Sequence, residues 1–210
     1  MPSPARGLTQ PQRLEISGRR LLEAAVELIA EKGWEATTAA EIGRRAGYSR
    51  AMVHARYGSK DAILDTLFVT EYEKRLSPAV EPHSTGLQQA LAHFDRIAQL
   101  YAEDHDLLRA MFVLTFEAVK ATSPARSRMQ MWLKQGAEAV ETGLRNGILD
   151  GSIRPDVDVD RAANDFSGAI FGIAYQWIVQ AYPYDMAPEM AYVRARLIRD
   201  YGSKPVRKRR

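Results

Sequence analysis

Helical periodicity is the sequence feature that most restricts the fold of this chain. Apolar residues recur every three to four positions along most of its 210 residues, as at Leu87, Leu91 and Phe94, and no run alternates at period two. Because successive side chains of a strand point to opposite faces, the missing alternation argues against β-sheet. The sequence therefore predicts an all-α fold, with short helices first and long helices after them.

Several classes of protein are excluded by what the sequence lacks. It contains no cysteine, so disulfide scaffolds, thiolate metal sites and cysteine nucleophiles are ruled out. The four histidines show no metal-binding spacing, and neither a glycine-rich phosphate loop nor a G-x-S-x-G nucleophile motif occurs. We therefore expect no catalytic residue, no metal and no cofactor. An enzyme that depends on the polar cluster at 103–106, or on a buried histidine, stays open as an alternative.

The sequence also lacks the pattern of a membrane protein. No segment reaches the roughly 18 uninterrupted apolar residues of a membrane span. The most apolar run, residues 168–182, contains Gln176 and Gln180. The apolar stretch at 21–30 carries two glutamates, which is unlike a secretory signal. We expect a cytoplasmic protein with no membrane partner.

Charge is distributed unevenly along the chain. Residues 1–60 carry ten Lys/Arg and six Asp/Glu, whereas residues 61–202 carry 14 and 20. The last eight residues, 203–210, carry five basic residues and no acidic one, and we expect them to form a disordered basic tail. A basic N-terminal segment on an acidic body predicts that this segment binds a polyanion and that the body does not.

The sharpest local pattern is a pair of short helices joined by a glycine-containing turn. A longer helix precedes the pair, and each helix has a recognisable cap or terminator. The predicted features are a first helix at about 17–32, a capping box at Thr38 and Glu41, a helix at about 39–46, a turn at Gly47, a cap at Ser49, a helix at 50–57, and a fourth helix that begins at Lys60 after the cap Ser59. This order predicts a helix-turn-helix whose second helix, 50–57, projects outward.

An outward-facing helix of this kind fits a DNA major groove, which is roughly 12 Å wide. Arg50 suits a guanine or a phosphate, and Ala51 allows close approach or contact with a thymine methyl group. Lys60 suits a phosphate, because it lies at the start of the following helix. The alternative is a plain helical hairpin inside a bundle, since short helices with similar turns occur elsewhere.

Three runs form a dense set of motifs: LLEAAVELIAEKGWEATT at Leu21–Thr38, EIGRRAGYS at Glu41–Ser49 and YGSKDAIL at Tyr57–Leu64. Together they resemble the N-terminal domain of TetR-family (tetracycline-repressor-type) transcriptional regulators, over about residues 17–68. The resemblance implies that Thr38, Ser49 and Lys60 touch phosphates of double-stranded DNA. It also implies that Arg50, Ala51 and His54 face bases. The full set expected to contact DNA is Thr38, Arg45, Tyr48, Ser49, Arg50, Ala51, His54, Arg56, Tyr57 and Lys60.

The chain departs from the family pattern near the end of the third helix. The family often has an aromatic residue, a histidine and a second aromatic residue where this chain has His54, Ala55 and Arg56. Arg56 suits a phosphate, so we expect DNA affinity to persist while the base preference does not transfer. Gly43 replaces the usual alanine and should slightly weaken its helix.

The helix predicted at about 158–181 is apolar on nearly every side. One stripe contains Phe166, Ile170, Ile173 and Trp177, and the other contains Gly168, Gly172, Tyr175 and Val179. A helix with two apolar faces needs two partners. The family resemblance implies a homodimer formed by the last two long helices, and hence a palindromic operator. The residues expected in that interface are Gly168, Gly172, Val179, Val193 and Leu197. A central helix in a monomeric bundle is the alternative.

Aromatic residues of the middle helices suit either a cavity or a core. Those that could line an effector cavity are Phe94, Tyr101, Met111, Phe112, Phe116, Trp132, Phe171 and Tyr175. Aromatic and methionine residues at helical spacing are more often core residues, so the ordinary interpretation competes at every position.

These observations predict an all-α protein with an N-terminal three-helix helix-turn-helix domain and a C-terminal helical ligand-binding and dimerisation domain. The predicted boundaries are a flexible arm at 1–16, a DNA-binding domain at 17–63, an effector-binding and dimerisation domain at 64–202 and a basic tail at 203–210. We expect a homodimeric, sequence-specific transcriptional regulator, with repression favoured by the family resemblance. An unknown small-molecule effector would release it from DNA. The alternative is a helical ligand-binding or protein-interaction module that does not bind DNA.

Overall fold

Helices make up most of residues 9–180 and 183–203, which the computed structural model describes. They are α1 (Gln10–Lys32), α2 (Ala39–Arg45), α3 (Arg50–Tyr57), α4 (Lys60–Leu67), α5 (Glu73–Leu76), α6 (Gly86–Glu103), α7 (His105–Glu117), α8 (Arg126–Asp150), α9 (Val159–Val179) and α10 (Met186–Tyr201). A π-helical turn, Phe68–Tyr72, joins α4 to α5. Apart from one isolated bridge between Ile153 and Gly202, these residues form no β pairing. The prediction of an all-α fold is confirmed.

The first helix begins earlier than the sequence predicted. The residues before about Ser17 were expected to form an arm, but α1 starts at Gln10. Thr9 and Gln12 form a capping box, in which Gln12 Oε1 accepts a hydrogen bond from Thr9 N at 2.9 Å. Pro11 lies in the first turn, where its missing N–H leaves no bond unmade. Pro11 therefore fits the start of a helix.

Turns and a side-chain cap set three other helix ends. α7 ends at Glu117 and α8 begins at Arg126, because residues 118–125 form turns. α10 begins at Met186. Its cap is the Asp185 carboxylate, which accepts from Ala187 N at 2.9 Å.

The chain divides into two compact units. The first unit contains residues up to 74 together with 106–126, and the second contains 75–105 together with the residues from 127 onward. α7 therefore belongs with the N-terminal helices. The predicted arm at 1–8 and the predicted tail at 204–210 lie outside the described residues.

In the first unit, α1 packs against α2, α3 and α4, and α2 packs against α3. Leu21 and Ile29 of α1 are fully buried, as are Ile42 of α2 and Val53 of α3. Trp34, just after α1, is 1% exposed and belongs to the same core. The apolar positions that define the helix-turn-helix in the sequence are therefore the positions that hold it together.

In the second unit, α6 packs against α10, and α10 packs against α9. The backbones of α6 and α8 lie close together, since a Cβ added to Gly143 would come within 2.4 Å of Ala90 N. Two hydrogen bonds of 2.9 Å from Arg196 to the Asp165 carboxylate join α10 to α9. Close backbone contact and paired charges thus fix the helices of this unit.

Two kinds of site are absent from the part of the chain that the structure describes. There, no helix is long and apolar enough to cross a bilayer. Nor does any group of three or more His, Asp or Glu side chains come together to hold a metal ion. In the polar cluster at 103–106, the Glu103 carboxylate accepts from Arg96, and the Asp104 carboxylate accepts from Arg75. These two carboxylates therefore act as partners of arginine.

Candidate DNA-binding surface

Side-chain caps fix the start of both short helices. Thr38 Oγ1 accepts from Glu41 N at 3.2 Å, and the Glu41 carboxylate accepts in turn from Thr38 N at 3.0 Å. A hydrogen bond from Lys32 Nζ at 2.6 Å, helped by the bonds from Thr38, lowers the pKa of Glu41 to about 2. Ser49 Oγ caps α3 by accepting from Met52 N at 3.3 Å. Both hydroxyl groups serve as caps, and their contact with phosphates stays a prediction.

The turn between the two helices depends on glycine at two positions. Gly47 has a φ of +79°, which side chains rarely allow, and Tyr48 N donates to Gly43 O at 2.7 Å. A Cβ on Gly43 would lie 2.8 Å from Ser49 O, closer than real Cβ contacts come. Gly43 therefore lets the backbone of α2 lie directly against the start of α3.

The outer face of α3 is exposed along its whole length. Val53 is fully buried and anchors the helix. The exposed residues are Arg50, Ala51, Met52, His54, Ala55 and Arg56. Within residues 9–180 and 183–203, no carboxylate pairs with Arg50 or Arg56. The structure thus places the residues expected to face bases on an open surface with uncompensated positive charge.

Arg45 is paired with carboxylates of α1, and its contact with DNA stays a prediction. Its guanidinium donates to the Glu31 carboxylate at 2.7 and 2.9 Å and to Glu27 at 3.1 Å, which ties α2 to α1. The bond from Arg45 also lowers the pKa of Glu31 and raises that of the guanidinium. The neighbouring Arg44 is exposed and has no carboxylate partner among the described residues. The sequence did not single out Arg44, because it is adjacent to Arg45 and of the same type. Only the orientation of α2 against α1 decides which of the two arginines faces the carboxylates.

Two further predicted contacts, Tyr57 and Lys60, are held inside the first unit. The Tyr57 hydroxyl donates to Gly18 O at 2.9 Å, and burial raises its pKa. Lys60 Nζ donates to Trp34 O at 2.6 Å and lies 4.3 Å from the centroid of the Trp34 ring. Burial lowers the pKa of Lys60. Both side chains hold neighbouring segments together, and their contact with phosphates stays a prediction.

Comparison with known proteins supplies the family. A sequence model described as bacterial regulatory proteins of the tetR family matches residues 21–67, from α1 to the end of α4. The fatty acid metabolism regulator protein of Bacillus subtilis (strain 168) is 24% identical over 170 residues, which are 80% of this chain and 86% of that protein. The HTH-type transcriptional repressor KstR2 of Mycolicibacterium smegmatis is 28% identical over 152 residues, with 67% and 69% coverage. Residues 21–67 therefore form the N-terminal domain of the TetR family. Together with these relatives, the match makes the chain a DNA-binding transcriptional regulator of the TetR type.

A solved structure shows the same fold. The transcriptional regulator FadR from Bacillus subtilis, in complex with stearoyl-CoA, aligns with a TM-score of 0.68 over 86% of this TetR-family chain and 97% of its own. At 23% identity, the likeness concerns the fold alone.

A group of long-range contacts that the sequence did not reveal holds the segment after α1. Glu117 of α7 accepts from Trp34 N at 2.9 Å, although 83 positions separate the two residues. Lys120 pairs with Glu35 at 2.6 Å. Arg109 Nε donates to Ala30 O, near the end of α1, at 3.1 Å. No local sequence signal marks these partners, because each contact depends on how α7 packs in the first unit.

The residues predicted to line an effector cavity have unequal environments. Met111, Phe112 and Phe116 lie in the first unit, and Phe94, Tyr101, Trp132, Phe171 and Tyr175 lie in the second. Phe94, Met111 and Phe112 are buried, whereas Tyr175 is 53% exposed. Tyr175 is exposed on α9 of the single chain. The Tyr101 hydroxyl donates to Asp185 at 3.2 Å, and the effector role of all eight residues stays a prediction.

The residues predicted to form a dimer interface separate into two groups. Gly168, Gly172 and Val179 are exposed on α9, and a Cβ at either glycine would meet no atom within 4 Å. Val193 of α10 is half-buried. Leu197 is fully buried within its own chain, so its place in an interface is wrong, because it has no surface left to cover. Tyr192, which the prediction omitted, is 65% exposed on α10.

Proposed function

We propose that this TetR-family chain is a homodimeric, sequence-specific transcriptional repressor that acts in the cytoplasm. A small-molecule effector releases it from its operator. The observation that carries the proposal is the surface of α3, an eight-residue helix that one buried valine anchors and that otherwise faces outward. Its two arginines lack carboxylate partners among the described residues, so their charge remains available to a polyanion.

Residue roles follow from these environments. Arg50 begins α3 and reaches base edges or the nearest phosphate, while Arg56 and the exposed Arg44 bind phosphates. Ala51 leaves room for a base to approach. Thr38, Tyr48, Ser49 and Lys60 lie around this surface at helix starts or in the turn and add contacts to the sugar-phosphate backbone.

The exposed face of α9 supports a homodimer. Tyr175 and Val179 are more than half exposed there, next to two glycines that leave the helix backbone open. An apolar face of this kind is covered when a second copy packs against it. The twofold axis of such a dimer presents two copies of α3 to a palindromic operator, in successive major grooves.

The relatives suggest which effector class to test first. One is named for the regulation of fatty acid metabolism, and the FadR structure contains stearoyl-CoA. We therefore propose fatty acids and their coenzyme A thioesters as the first candidates. Phe94, which is buried within the second unit, is a candidate contact for the acyl chain.

Operator binding can be tested by fluorescence anisotropy with the DNA upstream of the chain's own coding sequence. We expect an affinity that falls steeply with salt, because each bound cation releases counterions from DNA. Arg50→Ala should weaken binding, whereas Arg161→Ala, at an exposed position on α9, should leave it unchanged. Absent or salt-insensitive binding at low ionic strength would reject the proposal.

Dimerisation and release need separate measurements. Sedimentation should give a dimer, and Val179→Glu should give a monomer that binds its operator weakly. Stearoyl-CoA should then raise the dissociation constant of the wild-type dimer, and palmitate and free coenzyme A serve as comparisons. A dimer that keeps full affinity with every acyl compound would exclude this effector class but leave DNA binding intact.

A further inference from the structure

His54 and Gly58 form a closed pair of hydrogen bonds at the end of α3. Gly58 N donates to His54 O at 2.8 Å, which ends the helix. In the opposite direction, His54 Nδ1 and Gly58 O lie 3.0 Å apart. Gly58 adopts a φ of +74°, which favours glycine and turns its carbonyl group back toward the helix.

This pair fixes the proton on the imidazole ring. A carbonyl oxygen can only accept, so Nδ1 must carry the hydrogen that it shares with Gly58 O. In an uncharged imidazole one nitrogen donates and the other accepts. The uncharged His54 ring therefore has Nε2 as a hydrogen-bond acceptor.

The surroundings of His54 leave its ring open to a ligand. His54 is exposed, and its helical neighbours Ala51 and Ala55 are exposed residues with small side chains. Arg50, one turn earlier, is also exposed. Small residues beside the ring allow α3 to approach a groove closely enough for Nε2 to reach a base edge.

An acceptor at this position selects among the groups of DNA. Phosphate oxygens are acceptors too, so they do not pair with the unprotonated Nε2. In the major groove, the base donors are the N6 amine of adenine and the N4 amine of cytosine. We infer that His54 is a specificity-determining residue that reads an exocyclic amine of adenine or cytosine through Nε2. The inference rests on the proposed binding of α3 in a major groove.

The test removes the amine and the imidazole separately. The full chain first selects its preferred duplex from a random library at pH 8, where histidine side chains are mostly uncharged. Each adenine of the selected half-site is then replaced by purine, and each cytosine by pyrimidin-2-one, one at a time, so that only the amine is lost. At one position, wild-type affinity should fall by roughly three- to tenfold, the size of one hydrogen bond. His54→Ala should show no such fall at that position, because the partner of the amine is already missing.

Comparing wild type with His54→Ala on both the natural and the amine-deleted duplex isolates this hydrogen bond. Loss of the amine also weakens base pairing, but that effect is the same for both proteins. His83→Ala, at an exposed histidine outside the helix-turn-helix, should keep the wild-type profile. The ¹⁵N chemical shifts of the His54 ring should place the proton on Nδ1. Identical profiles for wild type and His54→Ala, or a proton on Nε2, would overturn the inference. Failure to select any duplex would instead reject the proposed function.

Discussion

Two neighbouring surfaces of the first unit use arginine in opposite ways. Between α1 and α2, Arg45 donates to both oxygens of the Glu31 carboxylate. On α3, Arg50 and Arg56 have no carboxylate partner among the described residues. A paired arginine fastens two helices, whereas an unpaired one keeps its field for a ligand. The side of the helix-turn-helix on which an arginine lies, rather than the residue type, therefore separates a structural role from a DNA-facing one.

The largest expected effect is the difference in operator affinity between a variant that lacks Arg50 and a variant that lacks Arg45. Arg50→Ala should weaken operator binding by about 1–3 kcal/mol per half-site, because it removes a base or phosphate contact. Arg45→Ala should leave the intrinsic affinity close to that of the wild type and slightly lower the melting temperature. Anisotropy titrations and circular-dichroism melts of both variants check this. Equal losses of affinity would remove the distinction between the two surfaces.

The next effect concerns the glycine that brings the two surfaces together. Gly43→Ala should destabilise the chain by about 1–3 kcal/mol, because its Cβ would press on the backbone of Ser49. Gly136→Ala is the matched control, since its Cβ would meet only His93 Nε2 at 4.0 Å. There we expect a gain of up to about 1 kcal/mol from helix propensity. Urea denaturation measures both variants. A Gly43→Ala protein as stable as the wild type would show that α3 does not depend on this close approach.

These contrasts also show which parts of the site can be predicted from the sequence. The caps at Thr38 and Ser49 were predictable, because each partner lies three residues away. The exposed face of α3 follows from the same local pattern. The partners of Arg45 and Lys60 were not predictable, since they lie on α1 or just after it, and their approach depends on tertiary packing. The placement of Leu197 in the dimer interface was wrong for a related reason. An apolar stripe on a helix does not show whether it packs within its own chain or against a second copy.

A smaller effect is expected at Glu117, which holds the segment after α1 from α7. Glu117→Leu leaves the backbone N–H of the buried Trp34 without its acceptor and should cost about 1–2 kcal/mol of stability. Glu117→Gln keeps an acceptor oxygen and should cost less. Urea denaturation of the two variants decides the matter. If both variants are equally stable, the hydrogen bond from Trp34 N to Glu117 does not support the helix-turn-helix. The contacts that stabilise it would then be those between α1 and α2.

The smallest effect should be a pH dependence of folding stability that arises from Glu41, which lies between α1 and α2. Its folded-state pKa of about 2 lies below the ordinary value of 4.5, because Lys32 and Thr38 donate to the carboxylate. A lowered pKa means that the folded state binds a proton less readily than the unfolded state. The contribution of Glu41 to stability is therefore present above about pH 4.5 and is lost as the pH falls toward 2.

Glu41→Gln isolates this contribution, because glutamine keeps an acceptor for Thr38 N and does not titrate. The wild type should melt slightly above the variant at neutral pH, and the difference should disappear between pH 4.5 and 2. Added salt should reduce the difference, since the ion pair with Lys32 is partly exposed. A difference in melting temperature that stays constant from pH 7 to 2 would show that the charge of Glu41 does not contribute to stability. The ion pair with Lys32 would then no longer belong among the paired charges that fasten α1 to α2.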